Sequence, residues 1–243
     1  MRIFVLLCCL LAAGSAHAQL LRTTPSFVTE NSSSITIFAD ATRGNKGILN
    51  VTGDIFVHIG AITSLSTSSS NWRYVPVAWG VADNKVKCTK LANNVWSFTI
   101  SGGLRSFFGM TNASETIQKI AILFRDAAGS QVLRNADASD MYIPVYENNL
   151  AVRIDSPLTQ PTFTPVLEPL SKAVGDTISI AGIASSSAAL SLFVNDSLIA
   201  TTTGTSIAQK FVLQKVGTQK ILLQGVSGSA TRRDSISFLV TGS

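Results

Sequence analysis

Apolar residues in this chain return at every second position, segment after segment, and almost never at helical spacing. Ile35-Thr36-Ile37 alternates, as does Ile55-Phe56-Val57-His58-Ile59. Trp96, Phe98 and Ile100 share one face of a segment whose other face carries Ser97 and Thr99. Ile120, Ile122 and Phe124 repeat the pattern, and Met141, Ile143 and Val145 repeat it again. Successive strand side chains point to opposite faces, so each segment buries one face and wets the other. Such segments, separated by Gly/Asn/Ser/Asp clusters, predict an all-β chain built as sandwiches. The exception is Gly103 to Met110, bounded by glycines and not alternating, which predicts one short helix. Asp126-Ala127-Ala128-Gly129, between Phe124 and Val132, predicts a hairpin turn ending on glycine.

Prolines divide the chain. Pro157, Pro161, Pro165 and Pro169 recur every four residues. Each removes a backbone donor and disfavours helix, so residues 149–173 read as an extended connector, with room for the first edge strand of the next domain. After Gly175-Asp176 a second strand series begins: 177–183, 189–194, 198–202, 207–213, 219–226 and 235–240. Asn195-Asp196 between two apolar runs predicts a two-residue hairpin turn, since both residue types tolerate positive φ. About seven short strands in this length predict an immunoglobulin-like sandwich without a cysteine pair. The expected organisation is a leader at 1–18, a sandwich at 19–148, the connector, and an immunoglobulin-like sandwich at 174–243.

The leader is a secretory signal peptide by its three parts. Arg2 is the positive end, Ile3 to Ala13 is the apolar run, and Ala16-His17-Ala18 sets small residues before a cut at Gln19. The run is too short to span a bilayer, which needs roughly 20 apolar residues. Cys8 and Cys9 sit inside the run after Leu7, not at a lipoprotein cleavage site, so no membrane anchor is expected. Cleavage removes both, leaving Cys88 alone, and the exported chain must be stabilised by burial without disulfides. Export to periplasm, cell surface or medium is expected. Its last residues, Thr241-Gly242-Ser243, come directly after a strand and read as a seam between domains of a longer polypeptide. The formal charge of +5 is scattered, with no run of like charges, which argues against nucleic acid as a partner.

Catalytic constellations are absent. After the leader there is one histidine, His58, within an alternating strand, and no G-x-S-x-G or H-E-x-x-H motif. His58 shares a face with Phe56 and reads as a packed or surface strand residue. One His and one Cys exclude transition-metal sites built on those ligands, and no cofactor is expected. Asp54, Asp83, Asp126, Asp137 and Asp140 all fall in turns, where Asp is favoured for its own hydrogen bonding. The segment 135–140 carries oxygens for Ca²⁺ but lacks the glycine and terminal Glu of an EF-hand loop. Cys88 alternates with Val86 and reads as a buried, inert thiol. More informative is 71–80, NWRYVPVAWG, directly after the polar Ser-rich loop 64–71. Alternation puts Trp72 and Tyr74 on one face and Arg73 on the other. Aromatic faces beside hydrogen-bond donors suit pyranose rings. Trp96 is core by its phase; for Trp72 and Trp79, core and exposed positions both stay open.

Five blocks in order carry a resemblance. They are Gly53 to Thr63; Asn71 to Val75 with Ala78-Trp79-Gly80; Leu104 to Gly109; Ile120 to Ser130; and Asp137 to Val145. Residues 35–145 resemble the N-terminal domain ahead of the catalytic barrel in secreted α-amylase-type glycoside hydrolases of Bacteroidetes, a domain similar in style to starch-binding modules. Residues 152–243 resemble the immunoglobulin-like domain that comes after it. The resemblance implies a non-catalytic region that binds or positions starch-like α-glucan, with Trp72, Tyr74 and Trp79 as glycan-binding residues. It places the reaction in a downstream catalytic domain of the glycoside hydrolase. Two alternatives stand beside it: a β-sandwich spacer that touches no sugar, and an enzyme in its own right, which would need two facing carboxylates in a cleft.

Overall fold

A computed structural model describes residues 19–242; the expected signal peptide at 1–18, with Cys8 and Cys9, lies outside the described residues. The first sandwich holds β1 (Leu21–Thr24), β2 (Ser34–Asp40), β3 (Phe56–Thr63), β4 (Thr89–Ala92), β5 (Val95–Ser101), β6 (Ile117–Arg125), β7 (Val132–Leu133) and β8 (Met141–Pro144). One sheet runs β1-β2-β5-β4; the other runs β3-β6-β7, with β8 also paired to β6. The apolar set of each strand enters the core, but the opposite faces of β3, β6 and β8 are also largely buried rather than wetted. Ile35, Ile37, Trp96, Phe98 and Ile100 of the first sheet meet Val57, Ile59, Ile120, Ile122, Phe124, Met141 and Ile143 of the second in one core. Trp96 is only 1% exposed. The helix α1 (Leu104–Phe108) lies where expected and stops at Gly109, whose φ of 67° ends it in the left-handed region. The hairpin turn at 126–129 is also present, with Asp126 Oδ1 accepting from Ser130 N at 2.7 Å.

The second sandwich is built from β9 (Val152–Ser156), β10 (Glu168–Ala173), β11 (Thr177–Val194), β12 (Ser197–Val212), β13 (Gly217–Ser227) and β14 (Ala230–Thr241). Two of these, β9 and β10, come from the proline-bearing stretch 149–173; β9 pairs with β11, and β10 pairs in parallel with β14. The expected short strands at 177–183 and 189–194 are one strand of 18 residues, and those at 198–202 and 207–213 merge similarly. The reason is local. Residues 184–188 hold no Gly or Pro, so the chain bulges and continues. The pairing of β11 with β12 shifts register between Ile183 and Ala188, and the long hairpin passes from one layer to the other. Its first half pairs with β9 and its second with β13. Ile178, Ile180, Leu190, Leu192, Ile221, Leu223 and Phe238 fill the core between the layers. Asn195 and Asp196 form the expected tight turn with φ of 48° and 66°.

The two sandwiches touch through named bonds. Arg153 Nη1 donates to Ser26 O at 2.7 Å. Arg232 pairs with Glu147 at 3.5 Å.

Candidate functional site

The site lies on the outer face of the β3-β6-β8 sheet. Where Val57, Ile59 and Ala61 enter the core, His58, Gly60 and Ile62 face the other way. On β6 the outward set is Lys119, Ala121 and Leu123, and on β8 it is Tyr142. Register sets Gly60 beside Ala121, and Ala121 beside Tyr142. Two small residues thus leave a shallow seat in the middle of the sheet.

Trp72 occupies that seat. Beyond β3 the chain turns through the Ser-rich loop and returns antiparallel to β3's free edge. Arg73 N donates to Ala61 O and Ala61 N to Arg73 O, both at 2.8 Å. Gly60 makes this return feasible, since a Cβ there would sit 3.1 Å from Trp72 Cβ and 3.0 Å from Val75 Cγ2. Trp72 packs with Ile62, Ala121, Tyr142 and Phe163, and its Nε1 donates to Ser69 O at 3.0 Å.

A continuous row of rings results. Trp79 meets His58 edge-on at 5.0 Å between centroids, and His58 stacks on Trp72 at 5.5 Å and 25°. Trp72 meets Tyr142 at 6.4 Å, and Tyr142 meets Phe163 at 5.2 Å. Trp79 is 45% exposed and Trp72 half-buried, which answers the question left open for them. The Trp79 indole lies against Gly129 of the 126–129 turn, with the Arg125 guanidinium 5.8 Å from the ring. Arg125 is fully buried and donates to Asp126 O and Ala127 O at 2.9 Å and to Val81 O at 2.6 Å, tying the turn to the loop that carries Trp79. Burial disfavours its charge and lowers its pKa.

Tyr74 departs from the expected shared face with Trp72. Its φ is 57°, which breaks the alternation after a single bridge. Its ring packs against the first core, and its hydroxyl donates to Glu115 Oε2 at 2.6 Å. Glu115, 1% exposed, also accepts from Thr63 Oγ1 at 2.5 Å and from Arg73 Nε at 2.7 Å. These hydrogen bonds, Thr63's first and Tyr74's next, hold the Glu115 carboxyl below the usual carboxylate range. Tyr74 therefore anchors the loop, while Trp72 and Trp79 form the platform.

His58, read from sequence as a packed or surface strand residue, sits between the two indoles, and its buried Nδ1 has no hydrogen-bond partner. Burial first, then the nearby Arg125 charge, lowers its pKa. The carboxylates nearby are engaged: Asp140 pairs with Arg134, and Asp137 accepts from Ser139 Oγ at 2.7 Å. Among the described residues no group of three or more His, Cys, Asp or Glu side chains could hold a metal ion. Cys88 is buried, and burial pushes its thiol pKa up. What the platform offers chemically is the ring faces of Trp79 and Trp72, the Trp72 Nε1 and Tyr142 hydroxyl being already engaged with Ser69 O.

No family model matches the chain, and no curated protein matches it. Solved structures give distant likenesses. The fibronectin(III)-like modules of Clostridium thermocellum CbhA align with 38% of this chain and 99% of theirs, at 15% identity and TM-score 0.29. An endo-β-1,4-mannanase from Thermotoga petrophila aligns over 40% of this chain and 20% of its own, at 14% identity and TM-score 0.30. The BSP domain of a biofilm associated protein aligns over 89% and 28%, at 11% identity and TM-score 0.36. At such values these likenesses say nothing of ligand or reaction.

Proposed function

We propose that this chain is the exported, non-catalytic front of a polysaccharide-processing protein, and that it holds a starch-like α-glucan on the Trp79–His58–Trp72 face. The observation that carries the reading is the row of rings on an outer sheet face, seated on Gly60 and Ala121 and locked by Arg125 and Glu115. Core packing alone does not require this arrangement, because Trp96 and the paired sheets already close the sandwich. Stacking on aromatic faces contributes about 0.5–1.5 kcal/mol per ring beyond area burial, so several rings in a row suit a repeating chain of sugars. The choice of α-glucan rests on the sequence resemblance. A catalytic domain beyond residue 243 completes the proposal.

The test is migration in native gels containing amylopectin. Retardation of the intact chain, abolished by Trp72→Ala with Trp79→Ala, is the expected result; normal migration in amylopectin, glycogen and dextrin gels refutes it. A spacer role is the second reading, favoured by Trp72 Nε1 being already bonded within its own loop. Unchanged migration is its signature.

A further inference from the structure

The row of rings does not end at Trp72. It continues through Tyr142 to Phe163, and Phe163 belongs to the connector, not to the first sandwich. The connector is docked there by hydrogen bonds. Tyr142 N donates to Pro161 O at 2.7 Å, and Ala136 N donates to Gln160 Oε1 at 2.5 Å. Residues 160–163 thus form a wall beside β8, and between this wall and the sheet opens a cleft of about 490 Å³. Its lining includes Lys119, Tyr142 and Phe163 together with Arg43 and, from the second sandwich, Asp234 and Ile236. That volume falls in the range of roughly 300–1,000 Å³ common for ligand sites.

Lys119 is the informative residue. It interrupts the apolar run of β6, lies half-buried, and holds its Nζ 5.3 Å from the Phe163 ring centre. Among the described residues no carboxylate pairs with it or with Arg43. Burial alone lowers its pKa. A half-desolvated ammonium facing a cleft without an ion-pair partner has donors to spare for ligand hydroxyls.

We propose that the cleft is a second subsite of the same glycan site, in which the sugar chain leaving Trp72 passes over the buried Tyr142, stacks on Phe163 and takes hydrogen bonds from Lys119. The inference rests on the platform reading and deepens it: the ligand is a long oligosaccharide or polymer, and the connector is part of the site rather than a spacer. Short sugars reach only the Trp79–Trp72 end.

Calorimetric titration of the full chain with maltose and with maltoheptaose tests this. Maltoheptaose binds at least about tenfold more tightly than maltose. Phe163→Ala and, separately, Lys119→Met each weaken maltoheptaose about two- to tenfold, the loss of one stacked ring or one donor. Both leave maltose within about twofold. Lys119→Met keeps the aliphatic stem and gives a readout independent of any loss of packing in Phe163→Ala. Equal weakening for both sugars, or no weakening of maltoheptaose in either variant, overturns the second subsite while leaving the platform standing. Absence of binding of either sugar to the unaltered chain overturns the platform and the cleft together.

Discussion

Gly129→Ala separates the proposed glycan platform from the fold that carries it. Gly129 has φ of 77°, and a Cβ there would stand 2.6 Å from Trp79 Nε1 and 2.7 Å from its Cε2, closer than real Cβ atoms approach. Alanine therefore imposes two effects. The left-handed backbone costs roughly 1–2 kcal/mol for an L-residue. The indole must also swing away, which it does readily because Trp79 is 45% exposed and sits on a loop. Gly102 provides the control: its φ is 78°, and nothing lies within 4 Å of its Cβ position. Gly102→Ala thus carries the backbone cost without the ring contact. Both variants should lower the melting temperature of the first sandwich by roughly 3–8 °C. Only Gly129→Ala should change the near-ultraviolet circular dichroism of Trp79 and weaken maltoheptaose binding, by about two- to tenfold for one misplaced ring. Equal effects of both variants on binding, or none from Gly129→Ala, would refute the assignment of Trp79 to the site.

Buried polar groups support further tests. Glu115→Gln should weaken glycan binding while leaving the core intact, because Arg73 and Tyr74 lose the carboxylate that fixes the returning loop. Glu115's folded pKa lies below its ordinary 4.5, so its stabilisation is present above that value and is lost as pH falls through the lowered one. Melting-temperature series of the two proteins should converge at acid pH. His58 is depressed from 6.5 by burial and Arg125. The unfolded chain then binds the proton first, and stability falls as pH drops below about 6.5. His58→Phe, which keeps a ring between the indoles, should flatten the melting temperature between pH 7 and 5. Cys88 should resist a thiol reagent at pH 8 in the folded protein and react fully in denaturant, since its thiol is buried and its pKa raised.

Features set by neighbouring residues were legible in the sequence. The alternation of β2, β5, β6 and β8, the short helix ended at Gly109, and the Asn195-Asp196 turn all depend on residues within a few positions of one another. Long-range features were hidden. The stretch 184–188 looked like a break between strands, yet small residues without Gly or Pro let β11 bulge and cross the sandwich. Tyr74 left the face of Trp72 because one residue adopts a positive φ, which its type does not announce. His58 joined the platform because a loop returns across Gly60. A glycine inside an apolar strand is itself the sequence sign of such an approach. Two further signs were present in the sequence: Lys119 interrupting an apolar strand, and Phe163 standing alone among prolines. Neither has meaning until the connector is seen docked on β8.

The central claim is that two of the three tryptophans in the chain face a sugar and one does not. Each tryptophan contributes one indole N–H resonance in a ¹⁵N-labelled protein, assigned by single Trp→Phe variants. Titration with maltoheptaose should shift the Trp72 and Trp79 signals progressively and saturably, while Trp96, buried at 1% exposure in the core, stays in place. Three stationary signals at millimolar sugar, or a shift confined to Trp96, would contradict the platform.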